Sequence, residues 1–157
     1  MHRNKSIITG DTLILTSKGY VCIKNINEED ELISLNNNTA KQELSKVIEI
    51  QKSTSSSIVH LSTSLGSMEV APKAIFTLDD ETLMEAKDLI AGCRIKTLNG
   101  YTEIKYAGIS IVQTLIYNLK TTGDNNFFIT NQDAMIQGIQ EDLSIDEIEE
   151  ALLKMVI

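Results

Sequence analysis

The sequence predicts an all-β domain followed by one C-terminal α-helix. Short segments in which apolar and polar residues alternate recur through residues 7–138, and clusters of Gly, Asn, Asp and Ser separate them. Such segments are typical of strands joined by tight turns. About ten short strands and no long helix before residue 140 indicate an all-β domain rather than an α/β one. Helical spacing of apolar residues over more than two turns occurs only after residue 140.

Length, hydropathy and charge limit the classes to which the protein can belong. The 157 residues, of which 42% are hydrophobic, suffice for one domain with a core and an appendage. No apolar run approaches the roughly 18 residues that cross a bilayer. The polar start lacks the apolar core of a secretion signal, which predicts a cytoplasmic protein. No basic stripe occurs and aromatic residues make up 4% of the chain, so neither a nucleic acid nor a membrane is an expected partner.

The cysteine and aspartate patterns predict neither a metal site nor a cofactor. Cys22 and Cys93 lie far apart, without the spacing of metal ligands. In the absence of an export signal we expect two reduced, half-buried thiols rather than a disulfide. Asp11 and Asp30 fall at predicted corners, where a carboxylate typically accepts hydrogen bonds from turn amides. We expect that role for both, in preference to a cation site.

The first half of the domain is predicted to be a series of strands. The run Asn36–Asn38 is a turn of residues that tolerate positive φ. The single proline, Pro72, ends the last strand of this half, because it has no N–H for a ladder. Strands are predicted over 12–16, 32–35, 44–50, 58–62 and 68–70.

The second half contains the one internal helical candidate, residues 83–90, which is too short for more than two turns. Asn99-Gly100 is the strongest hairpin signal in the chain, and residues 101–119 are β-branched and alternating. The acidic run 79–81 is expected to be a solvated hairpin tip. Residues 116–131 predict two short strands around a Gly-Asp-Asn-Asn turn.

The C-terminal segment, residues 139–157, is predicted to be an acidic amphipathic helix. Ser144 and Glu147 form a capping box, and six acidic side chains against Lys154 give the segment a charge of −5 out of the total of −8. This acidic face is either a solvated surface or a means of attracting a basic partner. The apolar stripe must cover its own domain or a partner, and it consists of Ile145, Ile148, Leu152 and Met155.

Four stretches of the sequence form an ordered set. They are Ile8–Thr16 with Gly19-Tyr20, Glu29–Ser34, Met68–Thr77 continuing through Glu85–Leu89 and Gly92–Ile95, and Tyr117 with Phe127-Phe128. In this order they resemble blocks of the Hint family, the fold shared by inteins and hedgehog autoprocessing domains. The resemblance implies a horseshoe of short curved strands with pseudo-twofold halves over residues 7–138, after an extension over 1–6. It also implies that both ends of residues 7–138 meet at one place and that no homing endonuclease is inserted.

The resemblance also implies which positions would carry the chemistry. In inteins a thiol or hydroxyl on the first residue attacks the preceding carbonyl, and a Thr-x-x-His pair polarises that bond. A terminal His-Asn then releases the downstream chain. The first position aligns with Ile7, the pair with Ala71 and Ala74, and His-Asn with Gln137-Gly138. None of these residues offers a nucleophile or a base, so the resemblance implies a Hint domain that has lost its catalytic function.

An alternative alignment, shifted by one residue, makes Ser6 the first residue of the domain. Its hydroxyl could then attack the carbonyl of Lys5 and remove residues 1–5. An unactivated serine is a poor nucleophile, however, and residues 71–74 offer no base. His60 lies in an alternating strand, where a half-exposed sheet residue is expected rather than a base. Cys93 could act as a displaced nucleophile, but its expected role is a small buried side chain.

The sequence therefore favours a non-enzymatic scaffold or protein-interaction module. Its partner would be another protein or a second copy, bound through the stripe of the C-terminal helix. Two alternatives are a residual self-cleaving domain that uses Ser6 and a structural component of a larger phage or secretion assembly.

Overall fold

The computed structural model describes residues 7–130 and 134–137, and antiparallel strands form most of it. Two short 3-10 helices, Ile23–Asn25 and Ala86–Asp88, interrupt the strands, and no α-helix occurs within these ranges. None of the described helices has the length and apolarity needed to cross a membrane. The strands are β1 Ile8–Thr9, β2 Leu13–Thr16, β3 Gly19–Cys22, β4 Glu31–Leu35, β5 Gln42–Ser55, β6 Ile58–Thr63, β7 Gly66–Val70, β8 Ile75–Thr77, β9 Leu83–Glu85, β10 Arg94–Thr97, β11 Gly100–Ser110, β12 Thr114–Thr121, β13 Asn126–Ile129 and β14 Ala134–Gln137.

The strands form one sheet that returns on itself. Its order runs β10-β11-β6-β7-β1-β12-β5-β4-β2-β13-β14, and Thr97 of β10 lies opposite Ala134 of β14, which closes the path. Within the described ranges, β3 pairs only with β2 and β9 pairs only with β8. Because the sheet closes on itself, few strand edges face solvent. The backbone N–H and C=O groups of nearly all strands therefore have hydrogen-bond partners.

Two long strands, β5 and β11, give the sheet its repeated organisation. β5 pairs with β4 over residues 42–46 and with β12 over residues 47–55. β11 pairs with β10 over residues 100–103 and with β6 over residues 104–110. Each long strand is thus the second arm of a hairpin whose far end joins a different strand. This arrangement occurs twice, as expected for a fold of two similar halves.

The core consists of apolar side chains that point inwards from the ring of strands. Phe76, Phe127 and Phe128 are its largest fully buried members. Covering each such side chain contributes about 1.5–3 kcal/mol to the stability of the fold. Cys22 and Cys93 are free and half buried, which confirms the expectation of two separate thiols.

Most of the predicted strands and turns are confirmed, with longer bounds in several places. The Asn99-Gly100 turn joins β10 to β11, and Asp79–Glu81 is an exposed hairpin tip between β8 and β9. The predicted strand 44–50 extends over the whole of β5. The predicted segment 101–119 is two strands, separated by residues 111–113.

The predicted helix over 83–90 is wrong. Residues 83–85 form β9, which pairs with β8, and only a 3-10 turn follows. The N–H of Ala86 donates to the carbonyl of Ala74 at 2.7 Å rather than to a carbonyl one helical turn earlier. Tertiary pairing of the backbone therefore overrides the weak helical preference of this segment.

The predicted role of accepting a hydrogen bond from a turn amide is confirmed for Asp30 but not for Asp11. The Asp30 carboxylate accepts a hydrogen bond from the N–H of Asn27 at 2.9 Å, as predicted for a turn. The Asp11 carboxylate instead accepts one from Nζ of Lys24 at 2.7 Å. This hydrogen bond lowers the pKa of Asp11 and raises the pKa of Lys24. In the described part of the chain, no three potential metal-ligating side chains lie together.

The extension over 1–6 and the predicted helix over 139–157, with its stripe Ile145, Ile148, Leu152 and Met155, lie outside the described residues. Ser6 and Gly138 do so as well.

A buried asparagine at the start of β13 ties this strand to β4. The Asn126 side chain is fully buried, accepts from the N–H of Leu35 at 2.8 Å and donates to the carbonyl of the same residue at 2.9 Å. The Asn126 side chain thereby pairs with the backbone of Leu35 as a neighbouring strand would.

We expect Asn126→Ala to destabilise the fold. The substitution leaves the N–H and C=O of Leu35 without their partner, and each unpaired polar group costs about 1–3 kcal/mol. Urea denaturation followed by far-UV circular dichroism measures the loss in the free energy of unfolding. Asn38→Ala, at an exposed turn position, is the matched control and should be neutral. Equal midpoints for the two variants would contradict the role assigned to Asn126.

Candidate functional site

The candidate site is the place where β1 enters the sheet between β7 and β12. The N–H of Ile7 donates to the carbonyl of Tyr117 at 2.8 Å, and the N–H of Ala71 donates to the carbonyl of Ile7 at 2.7 Å. Ile8 then lies opposite both Tyr117 and Val70. Both backbone groups of Ile7 are therefore engaged, one on each side.

The turn after β7 is held by backbone hydrogen bonds within it and to residue 87. The N–H of Ala74 donates to the carbonyl of Ala71 at 3.0 Å, and the carbonyl of Pro72 accepts from the N–H of Lys87 at 3.0 Å. Pro72 lies two residues beyond the end of β7, where its missing N–H costs no ladder bond. The turn is thus fixed against both β1 and the 3-10 helix of residues 86–88.

The end of the domain reaches the same turn from the other side. Gln137 of β14 lies opposite Ile75, the residue that follows Ala74. Ile7 and Gln137 therefore contact the two ends of the segment 71–75. We call Ile7, Ala71, Ala74 and the backbone of Gln137 the convergence site. Its geometry corresponds to the meeting of chain ends that the resemblance implied.

The side chains at the convergence site are alkyl groups that are closed to solvent. Ile7 and Ala74 are 0% exposed and Ala71 is 1% exposed. Ile7 and Ala74 belong to the main core, whereas Ala71 packs with Ile58 and Ile116 in a small separate cluster. Alkyl groups neither donate nor accept protons and carry no nucleophile. The three side chains can fill space and exclude water, and they can do no acid–base chemistry.

A polar cavity of about 390 Å³ lies beside the other end of β1. Thr9, Thr12 and Glu69 contribute to its wall, and the hydroxyls of Thr9 and Thr12 are 3.0 Å apart. None of the residues of the convergence site lines it. The cavity is therefore a separate feature and gives no solvent access to Ile7.

The other candidates from the sequence lie away from the convergence site. Cys93 precedes β10 and packs half buried against the core. His60 lies on β6, half exposed as predicted, and its ring contacts Ser110 and Glu69. The sequence analysis missed the latter two residues. Ser110 and Glu69 lie close to His60 because of the register in which β11 and β7 pair with β6. No local sequence pattern specifies that register.

Solved structures of inteins share this fold. A bacterial intein-like domain from Clostridium thermocellum has a TM-score of 0.80 at 22% identity, over 87% of this chain and 100% of that domain. A DnaB intein from Synechocystis has a TM-score of 0.75 at 20% identity, over 85% and 98%. The gp41-1 intein has a TM-score of 0.69 at 16% identity, over 86% and 100%. No family model and no curated protein matches the sequence. The chain has the Hint fold of inteins, which confirms the predicted all-β, Hint-like architecture.

We expect the convergence site to tolerate added volume poorly. Ala74→Leu forces a larger side chain into a fully buried turn, which costs about 1–3 kcal/mol of stability. Lys73→Leu, at the exposed neighbouring position, is the matched control and should be close to neutral. Thermal unfolding followed by circular dichroism compares the two variants. If position 74 instead lined an open cleft, the two substitutions would have equally small effects.

Proposed function

We propose that this protein is a non-catalytic Hint domain that acts as a scaffold or protein-interaction module. The observation that carries the proposal is the chemistry of the convergence site. Three buried alkyl side chains, Ile7, Ala71 and Ala74, lie where the resemblance to inteins would require a nucleophile, a threonine and a histidine. An acyl shift needs a nucleophile within reach of the carbonyl and a proton donor for the leaving amine.

Backbone geometry supports the same proposal. Polarising the peptide bond before residue 7 would require donors directed at its carbonyl. The N–H of Ala71 is already directed at the carbonyl of Ile7 itself, at 2.7 Å, and the N–H of Ala74 at the carbonyl of Ala71. The amides of Ala71 and Ala74 are therefore engaged in holding the fold together.

The alternative of self-cleavage at Ser6 is less favoured. A serine hydroxyl needs an adjacent base, and the turn 71–74 supplies none. The ring of His60 is engaged on both sides, by Ser110 and by Glu69, on a strand separated from β1 by β7. This histidine is thus held away from the start of the domain.

An interaction role is supported by the apolar surface that the domain exposes. At the corner between β11 and β12, Ile111 is 86% exposed and Val112 is 48% exposed, with Ile109 and Leu115 also about half exposed. Neighbouring exposed apolar side chains of this kind are typical of protein-binding surfaces.

The helix that the sequence predicts over residues 139–157 would be the second part of the proposed interaction surface. Its four stripe residues would each contribute about 1.5–3 kcal/mol when covered. An isolated helix of this length is marginal in water, so docking would be needed to form it. The acidic face would keep it soluble and attract a basic surface. The net charge of −8 disfavours an anionic partner such as a nucleic acid or a membrane surface. We therefore propose a cytoplasmic protein whose partner is another protein.

We expect the purified protein to keep its full mass in the presence of thiols or hydroxylamine, apart from removal of Met1. Restoring chemistry needs several groups at once, because nucleophile and polarising residues act as a unit. The triple variant Ile7→Cys, Ala71→Thr, Ala74→His should therefore release residues 1–6 in dithiothreitol, whereas Ile7→Cys alone should not. Intact mass spectrometry measures both.

The matched control for cleavage is Ile7→Ala combined with Ala71→Thr and Ala74→His, which provides the polarising residues without a thiol. Release of residues 1–5 from the unmodified protein would contradict the non-catalytic proposal and support cleavage at Ser6. A folded triple variant that stays intact would contradict the assignment of these three positions.

We expect Ile148→Asp with Leu152→Asp to weaken self-association or partner binding and to leave the melting temperature of the β domain unchanged. The charges disrupt the apolar stripe, which the Hint fold does not need for closure. Sedimentation and thermal unfolding test the two properties separately. Lys154→Asp adds more negative charge off the stripe and is the matched control. A lower melting temperature with unchanged mass in solution would mean that the helix packs on its own domain.

A further inference from the structure

Three polar side chains on adjacent strands lie in a row on the outer face of the sheet, each in contact with the next. Nε2 of His60 lies 2.8 Å from Oγ of Ser110, and Nδ1 of His60 lies 3.3 Å from Oε1 of Glu69. Ser110 is on β11, His60 on β6 and Glu69 on β7. A hydroxyl, an imidazole and a carboxylate in this order are the parts of a serine nucleophile with its base and the group that orients the base.

Strand register creates this arrangement. His60 lies directly opposite Glu69 on one side and Gly108 on the other, and Ser110 is on the same face as Gly108, two residues further along β11. The register of β11 on β6 shifts between Ile104 and Tyr106. Without that shift the alternation would be displaced by one residue and Ser110 would point to the opposite face.

A glycine opposite the histidine makes room for a fourth polar group. The ring of Tyr106 lies over Gly108, where a Cβ atom would come within 2.9 Å of Cζ and closer still to the hydroxyl. The phenol therefore occupies the place of a side chain at position 108, in the row that contains Ser110. A phenol hydroxyl is a hydrogen-bond donor that can stabilise a developing oxyanion.

We propose that Ser110, His60 and Glu69 form an acyl-transfer site for small apolar esters, with Ser110 as the nucleophile. His60 accepts the Ser110 proton at Nε2, and Glu69 is a positioning residue that holds the ring through Nδ1. Tyr106 and the backbone N–H of Ile111, the residue after the nucleophile, are the candidate donors to the oxyanion. This site does not involve the convergence site, so it does not depend on whether intein chemistry has been lost there. It shares Ile111 with the exposed apolar corner between β11 and β12.

The reaction balances without a cofactor. Oγ of Ser110 attacks the ester carbonyl carbon while His60 takes the hydroxyl proton, which gives a tetrahedral oxyanion. The intermediate expels the alcohol, which takes the proton from His60, and leaves an acyl ester on Ser110. Water, deprotonated by His60, then attacks that ester, and collapse of the second intermediate releases the acid and returns the proton to Ser110.

The surroundings favour a small, apolar acyl group, because they offer apolar contact but no deep pocket. The side chain of His60 is 37% exposed and that of Glu69 is 56% exposed, so the site is a shallow surface rather than a deep pocket. Ile111, at 86% exposure, follows the nucleophile directly and offers apolar contact. Because water has free access to such a site, its turnover should be slow and covalent labelling is the more sensitive measurement.

The test uses the full-length protein and a small alkyl fluorophosphonate, which traps a nucleophilic serine, with the labelled residue identified by peptide mass spectrometry. We expect a single label on Ser110, absent in Ser110→Ala. His60→Gln should slow labelling by about 100-fold, the low end for loss of a general base. Tyr106→Phe and Glu69→Gln should slow it less, and Glu69→Asp should retain part of the rate. Hydrolysis of p-nitrophenyl acetate should follow the same order.

Ser62→Ala is the matched control, because Ser62 lies two residues along β6 on the same face as His60. Its labelling rate should equal that of the unmodified protein, and the melting temperatures of all variants should agree. Labelling at another residue, labelling of Ser110 that is unchanged by His60→Gln, or no labelling above the level of Ser110→Ala would overturn the proposal. Each of these outcomes leaves the intact-mass test for self-cleavage at the start of the domain unaffected.

Discussion

The pairing of β1 on both of its sides is the interaction on which the rest of the fold depends. β1 contains only two residues, yet it lies between β7 and β12 in the closed strand order. Its hydrogen bonds, extended by Ile7, join the strands β10, β11, β6 and β7 to the strands β12, β5 and β4. Without β1, the sheet would open into two edges with unpaired N–H and C=O groups. The buried side chains of Ile7 and Ile8 add apolar area at the same place, so backbone pairing and core packing stabilise the same junction.

Local signals in the sequence predicted those parts of the fold that are determined locally. The Asn99-Gly100 turn, the strand ended near Pro72 and the polar turn before β13 were all visible, because their residues have specific backbone preferences. The segment 83–90 was assigned incorrectly, since its backbone bonds go to β8 and to Ala74 rather than to itself. Closure of the ring through β10 and β14 could not be predicted from local pattern, because it joins residues far apart in the chain. For the same reason the sequence showed His60 but not its contacts with Ser110 and Glu69.

The convergence site shows that backbone contacts alone can hold the junction of this fold together. The contacts that hold Ile7 in place are backbone hydrogen bonds, which any residue except proline can make. Alkyl side chains at such a place add stability, because they are buried without the desolvation cost of a histidine or a threonine. A catalytic site in the same place would need room for a reacting carbonyl and polar groups that face it. Stability therefore favours a closed apolar junction wherever no reaction requires an open one, and fold alone does not determine activity.

Alternation along β7 separates this junction from the outer surface of the same strands. Val70 is buried opposite Ile8, whereas the preceding residue, Glu69, faces solvent opposite His60. Because successive side chains point to opposite faces, substitutions on the outer face leave the core unchanged. The polar side chains of β11, β6 and β7 are held in register by the same ladder that closes the fold. A sheet with a buried apolar inner face can thus hold polar groups in fixed positions on its outer face, where their variation costs little stability.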